Sequence, residues 1–359
     1  MSETVIKQAD GSYVDDTGKV IYFSTERFIN EIALGQNCFI CGAHPGSKAF
    51  NDEHILSDWI LRKYSLVNRK ITLPNGTQFK YGSYRIPCCK ECNSNMGDIF
   101  ENKISPASVD LKSFSQLVNS HGSQYIFCWL SLIFIKTHLK DAILPLEQDR
   151  RKGTANIGES FYAYETLHHI HCISRSFYTD ANWENWVLGS LLIGPAKIMD
   201  GVESFDFADD YNAKSVMLRL SDFFIIAVFD DAGAVFTKIN ETFISKINDG
   251  LTALQIRELF ARFCYHSIAL TEKPKFSSSF EDGKYLITAS LPGDKPVFKN
   301  LGADFFGKTM YHHCKKVLDF LDGFSDSEKE KILSGNATYL LDENGNFKTD
   351  SMIYKPKIS

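Results

Sequence analysis

The sequence predicts an α+β fold in two parts, and three observations carry that reading. Apolar residues recur at helical spacing in several long stretches, short alternating runs flank Gly-containing turns, and two Cys-x-x-Cys pairs cluster near the N-terminus. The paired cysteines mark off a small module over residues 1–109, ahead of a larger α+β domain over 110–359 whose topology the sequence leaves unassigned.

Residues 11–24, GSYVDDTGKVIYFS, place two alternating runs around Asp15-Asp16-Thr17-Gly18 and predict a β-hairpin. The following segment ILSDWILRKYSL sets Ile55, Leu56, Trp59, Ile60 and Lys63 at helical spacing, and KITLPNGTQFKYGSYRI gives two strands around Pro74-Asn75-Gly76. A helix is expected over about 93–103, and the small polar SPAS segment ends that pattern, which places the domain boundary near 109. Beyond it, helices are expected over 111–120, 123–141, 252–267, 308–321 and 326–334, the last capped by Ser325 or Asp326. Strands are expected over 186–193, 215–220, 223–229, 284–290 and, around Asn344-Gly345, 338–348.

A chain of 359 residues can bury a sizeable core, and 44% hydrophobic with 23% charged residues places it among globular proteins. The net charge of -5 argues against a wholly basic nucleic-acid binder, yet it hides a local asymmetry. From His54 to Lys90 there are seven basic residues, Arg62, Lys63, Arg69, Lys70, Lys80, Arg85 and Lys90, against one acidic residue, Asp58. The N-terminus has no positive leader followed by an apolar run, which gives the expectation of no signal peptide and a cytoplasmic protein. The most apolar run, YIFCWLSLIFI at 125–135, is too short to span a bilayer and is expected to be a buried helix, so no membrane partner is expected.

Nine cysteines, an odd count with five of them between residues 38 and 92, in a chain with no secretory signal favour metal binding over disulfides. The two-residue gaps in Cys38-x-x-Cys41 and Cys89-x-x-Cys92 let both sulfurs of each pair reach one tetrahedral ion, and thiolate-only sites of this kind select zinc. Cys88 lies one residue too far from Cys92 for the usual spacing and is assigned to packing. A four-thiolate zinc has no open position, so it holds structure and does no chemistry.

Between the cysteine pairs lies Asp52-Glu53-His54-Ile55, and directly after the second pair comes Asn93. In this order the segment over about 36–103 resembles the HNH, or ββα-metal, endonucleases, in particular the endonuclease VII type of arrangement, on a treble-clef zinc scaffold. The resemblance implies His54 as general base and a catalytic magnesium or manganese bound through Glu53 and Asn93. Glu stands at position 53 where the family usually has Asp, which leaves Asp52 as a rival ligand. If the segment after Cys92 is helical, Asn93, Gly97 and Glu101 share a face, and Glu101 becomes a candidate ligand or supporting carboxylate. A hydrogen-bonded structural histidine at 54, an N-cap at 93 and an exposed helical carboxylate at 101 are the plainer alternatives. The interval from His54 to Cys89 exceeds what a compact motif needs and reads as an insertion whose seven cations contact phosphates. Its Tyr64, Phe79, Tyr81 and Tyr84 are assigned to cross-strand packing rather than to base stacking.

A second cluster, His168, His169 and His171 in ETLHHIHCISR with His312 and His313 in YHHC, could form a further metal site, though aromatic surroundings favour packed, hydrogen-bonded histidines. The sequence thus points to a metal-dependent endonuclease acting on DNA, RNA not being excluded, in a setting such as bacterial restriction or anti-phage defence. The rival is a non-catalytic zinc module that binds nucleic acid or a protein. The 250 residues after the module carry 27 basic and 32 acidic residues, and they are expected to sense, recruit, dimerise or restrain.

Overall fold

The computed structural model describes residues 5–149, 151–184, 187–199, 203–281, 283–320 and 324–349. Helices and strands both contribute substantially, in keeping with the α+β class. The chain divides into two compact units, each assembled from separate stretches: residues 1–107, 120–187 and 276–288 in the first, and 108–119, 188–275 and 289–359 in the second. The first change of unit falls beside the expected boundary at 109, and the later stretches interleave. The chain returns to the first unit at 120, and the reason lies in the helix Ser123–Ala142.

That helix is apolar on every side, and its buried residues include not only Phe127, Leu130 and Phe134 but also Lys136, Thr137, His138 and Asp141. A helix with no polar face must be enclosed, and the first unit encloses it. Tyr125 donates its hydroxyl to Ile99 O at 2.5 Å and packs against the Phe100 ring, while Tyr84 donates to Thr137 O and to the Asp141 carboxylate.

Around it the first unit forms small sheets. The expected N-terminal hairpin is present as Tyr13–Val14 against Val20–Tyr22, with Ile6–Lys7 added on the outside. Asp15 Oδ1 accepts from the amides of Thr17 and Lys19 and closes the turn. Phe50–His54 pairs antiparallel with Arg85–Cys89, from Phe50↔Cys89 to His54↔Arg85. Between them lie the helix Asp58–Lys63 and the hairpin Lys70–Thr72/Gln78–Lys80 around Asn75-Gly76. The helix expected over 93–103 begins three residues earlier, because Cys89 serves as N-cap. It runs as Lys90–Met96, then as a π-helical turn Gly97–Glu101, then as Asn102–Ala107 through Pro106. The helix therefore runs into SPAS, through Ser105, Pro106 and Ala107, and ends before Ser108.

The second unit is built on a four-stranded antiparallel sheet in the order Phe205–Asp210, Ser215–Leu220, Phe223–Val228, Ser190–Pro195. Its central strands are buried on both faces, so they read as continuous apolar runs. The helix Ala253–Ala269 contributes Ile256, Leu259, Phe260 and Phe263 to a core shared with Met217, Phe224, Ile226 and Val228. The helices Ala303–Leu318 and Asp326–Leu333 add Met310, Cys314 and Ile332 to a second cluster. Ser325 and Glu328 form the capping box expected at that helix start. The strand expected from 186 begins at Ser190, and residue 186 itself lies outside the described residues, as does 321 at the end of the expected 308–321 helix. Around Asn344-Gly345 there is one bridge, Leu341↔Phe347, rather than a paired hairpin.

Candidate metal centre and carboxylate site

The first cysteine pair sits in a tight turn. Cys38 N–H donates to Ala43 O at 2.9 Å and Gly42 N–H to Cys38 O at 2.8 Å. Gly42 has φ +76°, and a Cβ there would meet the Phe23 ring at 2.7 Å, so this turn requires glycine. The second pair opens a helix: Cys89 accepts at Sγ from the Cys92 amide at 3.5 Å. Because Phe50 pairs with Cys89 across the sheet, the strand that carries Glu53 and His54 is tied directly to the second pair.

Sγ atoms of Cys38, Cys41, Cys89 and Cys92 all lie within 4.8 Å of one another, and Cys41 and Cys89 are 3.6 Å apart. Sulfurs bound to one zinc at about 2.3 Å stand about 3.8 Å apart along a tetrahedral edge, so the foursome can hold a structural zinc. Cys88 Sγ is 3.8 Å from Cys38 but outside that group, as strand alternation turns it away from Cys89. Hydrogen bonds from Cys41, Cys88 and Cys92 hold the Cys38 thiol well below its ordinary range, while Cys41 is pushed up to about 12 chiefly by its bond to Cys38. Without an ion the cluster favours one thiolate, Cys38, and the bonds to Cys38 also push the Cys92 thiol up.

The histidines of the second sequence cluster do a different job. His168, His169 and His171 lie on the helix His168–Ser174 of the first unit, whereas His312 and His313 belong to the second. His171 Nε2 lies 2.7 Å from Phe39 O inside the first cysteine turn, and His168 Nε2 lies 2.8 Å from Phe23 O. His169 stacks on Phe276 with ring centroids 3.4 Å apart. Arg175, fully buried, donates to Ile40 O at 2.5 Å, Val20 O at 2.5 Å and Ile21 O at 3.2 Å. Two residues of the Cys38–Cys41 turn, Phe39 and Ile40, are therefore fixed by His171 of this helix and by Arg175 at its C-cap. The packed, hydrogen-bonded reading describes His168 and His171, whereas His169 is packed but leaves its buried Nε2 without a hydrogen-bond partner; among the described residues the three join no group of three metal-ligand atoms.

The two strands and the helix that follows them form a β-β-α unit. Successive strand residues alternate, so Asn51 and Glu53 share one face while Asp52 and His54 take the other. On the first face Asn93 donates its side-chain amide to Asn51 Oδ1 at 3.1 Å. Glu53, 7% exposed, accepts from Lys136 Nζ at 2.7 Å, and the same ammonium donates to His54 O at 2.8 Å. Glu101 comes to this group as well: burial raises its carboxyl above the ordinary range, Glu53 adds to the rise, and the charge of Lys136 and a hydrogen bond with Ser57 oppose it. The π-helical turn Gly97–Glu101 breaks the regular Asn93, Gly97, Glu101 stripe expected of an α-helix, yet Glu101 still faces the Glu53 and Lys136 charges.

On the other face, His54 is half-buried, and its imidazole is lowered below the ordinary value by burial first and by the Arg85 guanidinium second. Asp52 is exposed and lines a cavity of about 530 Å³ with Arg85, Pro87 and Lys140. The two rival acids thus occupy opposite environments, and Glu53 is the one on the face of Asn93.

All seven basic residues of the insertion are exposed. Arg62 pairs with Asp58 at 2.5 Å and Arg85 donates to Gly82 O at 3.0 Å. Lys70 stands directly opposite Lys80 in the hairpin. Tyr81 and Tyr84 are buried and Phe79 packs on Tyr84, so these aromatics belong to packing. Sequence reasoning missed Lys136 and Arg175. Their only signal was a cation inside or beside an apolar helix, YIFCWLSLIFIK for Lys136. No helix among the described residues is long and apolar enough to cross a membrane. Comparison with protein-family models, curated proteins and solved structures finds no match.

Proposed function

We propose that this chain is a metal-dependent HNH-type endonuclease that hydrolyses phosphodiester bonds of DNA, on a treble-clef scaffold closed by a structural zinc. The observation that carries the reading is the β-β-α unit: Glu53 and His54 lie on a strand whose partner runs straight into the second cysteine pair, and Asn93 meets the same strand from the following helix.

The residues fit a divalent ion by charge and donor type. Glu53 and Glu101 bring two carboxylates to a buried place that contains one ammonium, Lys136, and Asn93 spends its N–H on Asn51, which leaves its carbonyl oxygen to serve as a hard ligand. A bound magnesium or manganese would supply the positive charge that polarises the scissile phosphate. His54, its imidazole lowered below the ordinary value by burial and Arg85, would take a proton from water, although strand alternation starts it from the face opposite Glu53 and Asn93. Lys136 fixes the Glu53 carboxylate and, through the His54 carbonyl, the backbone that presents the imidazole. The Lys70–Lys80 pair costs stability as like charges directly opposite, and that cost is relieved when a phosphate lies between them.

One observation favours a second reading, a non-catalytic zinc module: Lys136 already neutralises the Glu53 carboxylate at 2.7 Å. Supercoiled plasmid, incubated with the purified full chain and magnesium or manganese beside EDTA controls, separates the two. The nuclease reading expects metal-dependent nicking or linearisation that His54→Ala abolishes while zinc content and DNA affinity persist. Cleavage undiminished in His54→Ala defeats it, and DNA binding with no cleavage under any divalent ion selects the module. A parallel RNA substrate decides between the nucleic acids.

A further inference from the structure

We propose that the second unit carries its own zinc-class metal site, formed by Asp210, Cys264 and His313, independent of the four-cysteine cluster and of the nuclease reading. Their ligand atoms, a carboxylate oxygen, a thiol sulfur and an imidazole nitrogen, lie within 4.8 Å of one another. His313 Nε2 stands 3.3 Å from Asp210 Oδ2, close to the tetrahedral edge expected between ligands held about 2.0–2.2 Å from one ion.

Three regular elements deliver these groups. Asp210 ends the strand Phe205–Asp210, Cys264 lies on the helix Ala253–Ala269, and His313 lies on the helix Ala303–Leu318. Each group is also held from behind. Asp210 Oδ1 accepts from the Ala213 amide at 2.9 Å, which leaves Oδ2 for the centre. Ser215 Oγ, whose residue pairs with Asp210 across the sheet, is 3.3 Å from Cys264 Sγ, and the His313 ring packs edge-on against Phe260. Contacts that orient a ligand in this way are what metal centres require around their first ring of atoms.

The donor set selects the ion. One sulfur and one imidazole disfavour magnesium and calcium, which take oxygen, and suit zinc or cobalt. Three protein ligands leave a fourth position open. Cys264 and His313 are buried, whereas the Asp210 side chain is 17% exposed, which makes Asp210 the most open side of the group.

The test is metal stoichiometry of the full chain, read as a difference between proteins so that it does not depend on the first site. Full-length wild type is stripped with chelator, reconstituted with cobalt and then with zinc, and compared with His313→Gln, Cys264→Ser and Asp210→Asn. Each variant is expected to lose one equivalent of metal relative to wild type, and His313→Gln to lose one component of the cobalt spectrum while the tetrathiolate bands remain. Ser215→Ala, which removes the hydroxyl 3.3 Å from the Cys264 sulfur, should keep the stoichiometry and weaken the site by about 10- to 100-fold. His313→Gln and Asp210→Asn change no buried sulfur, so they decide the matter if Cys264→Ser does not fold. Equal metal content in wild type and folded His313→Gln overturns the site and leaves an Asp–His hydrogen bond beside a Cys–Ser one.

Discussion

Lys136 Nζ lies 2.7 Å from Glu53 Oε1, with both side chains buried, one on a strand beside the cysteine cluster and the other on the apolar helix Ser123–Ala142. Removing one partner of such a pair strands the other charge in a medium that cannot solvate it, at a cost of roughly 3–5 kcal/mol. Lys136→Met should therefore destabilise the full chain by about that amount in denaturant unfolding, and added magnesium should restore part of it if Glu53 and Glu101 bind the ion. A variant as stable as wild type would mean that the pair does not hold this site. The same pair shows why a 1–109 fragment is a poor test of activity: it keeps Glu53 and lacks Lys136.

The cysteine register gives a prediction with an internal control. Cys41 and Cys89 belong to the group that can hold zinc, whereas Cys88 touches Cys38 without joining it. Cys41→Ser and Cys89→Ser should each remove one equivalent of zinc and lower the thermal midpoint sharply, because binding energy at such a site is folding energy. Cys88→Ala should keep the metal and lose only packing, about 1–2 kcal/mol. Elemental analysis and calorimetry on the three variants check this, and equal zinc loss in all three would place Cys88 among the ligands.

What the sequence revealed and what it hid divide along contact range. Both cysteine pairs, the Asn75-Gly76 turn and the Ser325–Glu328 capping box are set by residues a few positions apart, so spacing alone exposes them. Lys136 and Arg175 act on partners 83 and 135 positions away, and no local pattern announces that. The strand Phe205–Asp210 hid behind three aspartates, of which Asp206 pairs with Arg257, 51 positions on, at 2.5 Å and 2.6 Å. The interleaving of the two units along the chain has the same origin. An all-apolar helix shows that it will be buried, but not which part of the chain will cover it.

The exposed cations of the insertion make a prediction about salt. A phosphate-contacting residue contributes to affinity by releasing counterions, so its removal weakens binding on all sequences alike. Lys70→Ala and Lys80→Ala should each weaken DNA binding and reduce the slope of log K against log salt by about 1. Because the two lysines oppose each other, either change should also leave the hairpin as stable as before or slightly more so. Salt titration of binding by fluorescence anisotropy reads both effects, and an unchanged slope removes the hairpin from the interface.

Asp141 supplies a pH dependence within the first unit. Its carboxylate accepts from Tyr84 and, at 3.4 Å, from Tyr162, whose hydroxyl also lies 3.0 Å from His138 Nδ1. Burial raises its pKa from 3.8 to about 7, against the pull of the two hydroxyls and of the Lys140 charge. Between those values the folded chain holds a proton that the unfolded chain has released. Its contribution is therefore most favourable below pH 3.8 and is lost as the pH rises toward 7, on the order of 1.4 kcal/mol for each pH unit. Asp141→Asn keeps an acceptor for the Tyr84 hydroxyl and carries no charge to bury. Relative to wild type it should gain stability steadily from pH 4 to pH 7 and level off above, in parallel denaturant series at each pH. Two profiles that run parallel across that window would show that Asp141 titrates as an ordinary carboxylate.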